Sequence, residues 1–80
     1  MNQSTTHDRL LECFRVVFPG VPDAELVTTS TESNSKWDSL AQITLISLIE
    51  EDLKTTLPLE RYAELTSFSA LLVELERARA

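Results

Sequence analysis

An all-α fold is predicted by three features of the sequence. Apolar residues recur at helical spacing in separate stretches, as in Leu45, Ile46, Ile49 and Leu53. Proline-containing breaks, Pro19-Gly20-Val21-Pro22 and Thr55-Thr56-Leu57-Pro58, divide those stretches. A run of small polar residues, Thr28 to Ser35, reads as loop, because its hydroxyls compete with the backbone for hydrogen bonds and bury little. The expected architecture is one domain over residues 1–80, a small four-helix bundle with three longer helices and one short. A long loop joins the first helix to the second, and no strand is expected.

The first helix is expected over about residues 5–18, with Thr5 or Thr6 as its cap. Leu10, Leu11, Phe14, Val17 and Phe18 form its apolar side, with Asp8, Arg9, Glu12 and Arg15 outside. Cys13 lies beside the apolar stripe and reads as a small semi-buried hydrophobe. The only glycine, Gly20, sits in the turn that ends this helix. Asp23 to Val27 reads as a short turn that ties the loop to the core through Leu26. The central helix is expected over about 39–54, with Asp38 as its N-cap and Ser39 in the first turn. Gln42, Leu45, Ile46, Ile49 and Leu53 share its inner face.

Pro58 suits the start of a short helix over 59–65, with Leu59, Tyr62 and Leu65 as its apolar residues. Thr66-Ser67 supplies the next cap, for a last helix over about 67–79 that buries Phe68, Leu71, Leu72 and Leu75. Glu74 with Arg77, and Glu76 with Arg79, are spaced to pair on its outer surface, and the two arginines complement the dipole.

Composition narrows the function classes. A hydrophobic share of 42% and a charged share of 25% are those of a folded domain. The net charge is −6 and the pI about 4.5, which argues against nucleic-acid binding and towards basic partner surfaces. A lone cysteine gives neither a disulfide framework nor a cysteine metal site. No apolar run approaches membrane-spanning length, and the polar N-terminus does not read as a signal peptide. The expectation is a cytoplasmic monomer that neither enters membranes nor catalyses a reaction, since no pair of titratable groups or metal-ligand cluster stands out.

The most informative stretch is Lys36-Trp37-Asp38-Ser39-Leu40. It sets a hydroxyl at a helix start, where backbone N–H groups and the macrodipole favour a phosphate. Together with the preceding loop, the amphipathic helix ending in Glu50-Glu51-Asp52-Leu53, the length and the acidity, this stretch resembles the acyl carrier and peptidyl carrier proteins. The resemblance covers roughly residues 7–76. It implies a bundle of acyl-carrier type and a 4′-phosphopantetheine joined to Ser39 through a phosphodiester. It also implies a phosphopantetheinyl transferase that uses coenzyme A and Mg²⁺, with Asp38 orienting the metal and the phosphate. Acyl or aminoacyl groups would then ride as thioesters to acyl-loading, acyl-transfer or condensing enzymes. Lys36 departs from the family, many of whose members have glycine there, while Trp-Asp-Ser-Leu is one of its variants.

Leu40, Ala41, Ile43, Thr44, Ser47, Glu50 and Glu51 are expected to lie partly or wholly outside on the central helix. In family terms this is the partner-recognition face: Leu40 and Ile43 as apolar anchors, with acids further along. Ala41 and Thr44 replace acids found in many fatty-acid carriers. That leans the resemblance towards polyketide or hybrid peptide biosynthesis. The alternative is an unmodified helical interaction module in which Ser39 is only a helix cap and the same face binds a protein.

Overall fold

The computed structural model describes residues 5–79, without the side chains of residues 78 and 79. The N-terminal residues 1–4 and the expected Glu76–Arg79 pair lie outside the described residues. The fold is all-α. Its elements run α1 (Thr6–Val17), α2 (Asp23–Leu26), α3 (Ser39–Leu53), a 3₁₀ helix (Leu59–Glu64) and α4 (Phe68–Arg79). Among the described residues the only extended pairing is an isolated bridge between Ser30 and Ser67. Among the described residues no helix is long and apolar enough to cross a membrane.

Among the described residues five helical segments stand where four were expected. The addition is α2, where a turn was expected. Pro22 presets the backbone before it, Leu26 at its end is fully buried, and Arg15 of α1 grips Asp23 with two hydrogen bonds of 3.0 and 2.7 Å. Four residues clamped at both ends close one complete α-turn.

The caps follow the sequence closely. Thr5 Oγ1 accepts from Asp8 N–H, Asp38 Oδ1 from Ala41 N–H, and Ser67 Oγ from Ala70 N–H. Gly20 turns the chain after α1 with a φ of 90°, a conformation glycine adopts without steric cost. Lys54 ends α3 in the left-handed region at φ 53°, its N–H returning to Glu50 C=O.

One core unites the segments. Leu10 and Phe14 of α1, Leu45, Ile46 and Ile49 of α3, and Phe68, Leu71 and Leu75 of α4 are all essentially inaccessible. Helix α1 lies at its centre, in contact with α2, α3 and α4. The Phe14 ring meets Phe18, Trp37 and Phe68 at centroid distances of 5.9, 5.4 and 5.0 Å, in tilted or edge-on geometry. The radius of gyration, 11.8 Å, matches the roughly 12 Å of a compact chain this long.

Several surface expectations are corrected. Leu59 is exposed, because the 3₁₀ helix buries none of its residues fully. Glu74 turns inward, 8% exposed, and pairs with Arg61 of the 3₁₀ helix at 3.1 Å, so it does not lie on the outer surface with Arg77. Arg9 is also drawn in from the expected outer face of α1. Its guanidinium reaches Asp52, at 3.4 Å from the carboxylate and 3.1 Å from the backbone C=O at the end of α3.

Candidate functional site

The segment before α3 is polar in sequence, yet it is tightly held. Asn34 N–H donates to Ser30 C=O at 2.9 Å, Asn34 Oδ1 accepts from Lys36 N–H at 3.0 Å, and Trp37 N–H reaches Asn34 C=O at 3.0 Å. These side-chain and backbone turns satisfy the groups that a polar loop leaves open. Two further bonds, Thr31 N–H to Thr66 C=O and Phe68 N–H to Thr29 C=O, fasten the loop to the start of α4. The loop therefore delivers residues 37–39 to a fixed place. Trp37 is its anchor, 3% exposed and packed on Phe14 and Phe18.

Ser39 follows as the first residue of α3 and is exposed. The cap is Asp38, whose Oδ1 lies 2.9 Å from Ala41 N, and among the described residues Ser39 Oγ takes part in no hydrogen bond. The division of labour is chemically informative. A capping serine has its hydroxyl committed to the backbone, whereas here a carboxylate does that work and the hydroxyl faces solvent. A covalent phosphodiester at this oxygen would lie at the positive end of α3 with no steric obstruction from a buried setting.

The outer face of α3 sorts into distinct environments. Leu40 and Ile43, one and four residues beyond Ser39, are 73% and 58% exposed and form a small apolar patch. Thr44 and Ser47 are exposed, and Thr44 Oγ1 donates back to Leu40 C=O at 2.9 Å. Ala41 is half-buried against the core. The acids separate as well. Glu51 faces solvent, whereas Glu50 Oε2 accepts from Leu57 N–H at 2.7 Å and Asp52 is held by Arg9. Glu50 is thus half-buried, and its carboxylate closes the turn after α3.

A cleft of about 430 Å³ opens beside Ser39, between the start of α3, the loop and the 3₁₀ helix. Thr31, Ile43, Tyr62 and Thr66 line it, together with buried Trp37 and half-buried Gln42. Gln42, placed on the inner face by its spacing, does more than pack. Its Oε1 accepts from the Trp37 indole N–H, and its Nε2 donates to Tyr62 C=O at 3.3 Å and Leu65 C=O at 3.0 Å. Sequence reading missed this bridge. The available signal was an amide amid apolar neighbours five residues after a tryptophan.

The remaining reactive groups are quiet. Burial, with Asp52 and Glu12 nearby, pushes the Cys13 thiol up to about 11, so it stays a neutral hydrophobe. His7 sets its ring edge-on to Phe68 at 5.3 Å. Among the described residues no three His, Cys, Asp or Glu side chains gather as a metal site. Comparison with protein-family models, with curated proteins and with solved structures finds no match to this chain.

Proposed function

We propose that the chain is an acyl carrier protein with a carrier-type helical bundle, modified at Ser39 by 4′-phosphopantetheine. The observation that carries the reading is the Asp38–Ser39 pair: the carboxylate caps α3 and leaves an exposed, uncommitted serine hydroxyl at the helix start. The residues fit the group. A phosphodiester on Ser39 Oγ meets the helix dipole, and the second Asp38 oxygen remains open to a metal-bound phosphate of an incoming coenzyme A. The bound arm would supply a terminal thiol for thioester formation.

The chain's own part is to hold and present. In this reading Ser39 fixes the arm at a defined point, because Trp37 and the loop hydrogen bonds set the position of the α3 start. Tethering raises the effective concentration of the cargo at each partner enzyme without any catalytic group on the carrier. Leu40 and Ile43 give a docking enzyme a small apolar anchor, with Glu51 as an exposed charge further along α3. The scarcity of free acids near Ser39 suits polyketide or hybrid peptide machinery better than a partner steered mainly by charge.

The test is intact-protein mass after incubation with a broad-specificity phosphopantetheinyl transferase, coenzyme A and Mg²⁺. The parent should gain one phosphopantetheine and Ser39→Ala none, with both proteins folded by circular dichroism. A folded parent that gains nothing overturns the carrier reading. It would point to an unmodified interaction module, whose partner binding survives Ser39→Ala.

A further inference from the structure

If Ser39 bears an arm, its cargo lies either within the helical core or outside it. Between the cleft beside Ser39 and the core, Gln42 of α3 bonds across to Tyr62 of the 3₁₀ helix and to Leu65 just after it. The indole N–H can only donate and the two carbonyls can only accept, so the orientation of the Gln42 amide is fixed by its partners. Its oxygen and both amide hydrogens are used at once. An alkyl chain entering here would displace the amide and leave the indole N–H and the Leu65 carbonyl without partners, since the Tyr62 carbonyl keeps only its bond from Leu65 N–H, an unfavourable exchange. Phe14, Leu45, Ile46, Leu65 and Phe68 belong to one fully buried core cluster.

We infer that Gln42 seals the cleft from the core, so that the carrier holds short, polar acyl or aminoacyl groups outside rather than enclosing a long alkyl chain. The cleft itself suits such a group. Its volume lies at the small end of ligand-sized sites, Thr31 and Thr66 offer hydroxyls, and Ile43 with Tyr62 offers apolar wall. This inference rests on the carrier reading and goes beyond it by naming the cargo class and the residue that sets it.

The experiment loads Ser39 from acetyl-, octanoyl- and hexadecanoyl-coenzyme A, verifies each product by mass, and compares melting temperatures and the Trp37 indole N–H resonance. The three loaded forms should melt within about 2 °C of one another, well below the shift that one buried-chain increment would give in so small a domain. The indole resonance should stay in place throughout. A melting temperature that climbs with chain length, or an indole shift that tracks it, overturns the seal while leaving the carrier reading intact. Failure of all three to add mass overturns both. Gln42→Ala, loaded with the same three groups, should show the chain-length dependence of melting temperature that the parent lacks.

Discussion

Asp38 and Ser39 divide two tasks that one serine often performs at a helix start. The Asp38 carboxylate satisfies Ala41 N–H at 2.9 Å, which frees the adjacent hydroxyl. Replacing the cap therefore tests the division. Asp38→Ala should cost about 1 kcal/mol of stability, read as a lower urea midpoint at unchanged slope. In the carrier reading it should also slow phosphopantetheine transfer by more than that loss explains. Ser39→Ala should leave the urea midpoint nearly unchanged, because the hydroxyl supports no hydrogen bond in the fold. A large destabilisation by Ser39→Ala would mean that the serine is structural after all. The cap position of Asp38 and the first-turn position of Ser39 were legible in the local sequence pattern. The Gln42 bridge was not, because its partners at Tyr62 and Leu65 lie 20 and 23 residues away.

Helix α3 is set by its two ends and one inner stripe. The stripe of Leu45, Ile46, Ile49 and Leu53 was readable because burial follows the 3.6-residue period. The C-terminal end is less favourable: Lys54 adopts a left-handed conformation that side chains resist. Lys54→Gly should raise stability by about 0.5–1 kcal/mol, seen as a higher melting temperature, since relief of strain outweighs the added freedom of the unfolded chain. An unchanged or lower melting temperature would show that the lysine side chain contributes what the strain removes. The acids at this end illustrate where pattern reading stops. Three consecutive acids opposing the dipole look unfavourable in sequence, but Leu57 N–H and Arg9 engage Glu50 and Asp52. Neither partner is adjacent in the chain.

Across the whole molecule, α1 is the element on which the others lean. Phe14 meets three other aromatic rings, and its helix contacts α2, α3 and α4. Phe14→Ala should cost about 3–5 kcal/mol. A domain of this size holds only about 4–12 kcal/mol in total. The variant should thus lose most of its cooperative thermal transition, measured by near-ultraviolet circular dichroism. A shift of only a few degrees would show that the core has a second centre. The long polar connection between α1 and α3 also takes its character from the whole. In isolation it has little to bury; in the fold it is pinned to Thr66 and Phe68 and closes over Trp37.

Sequence by itself determined the helical class, the Asp38 cap and the neighbourhood of the other two, the inner stripe of α3 and the position of Ser39 at its start. These depend on local spacing and on hydrogen bonds within three or four residues, which the chain order states directly. Tertiary structure decided the α-turn at Asp23–Leu26, the inward turn of Glu74 to Arg61, the Arg9–Asp52 link and the Gln42 seal beside Ser39. Each joins residues from different elements, and only packing around α1 brings those partners within reach.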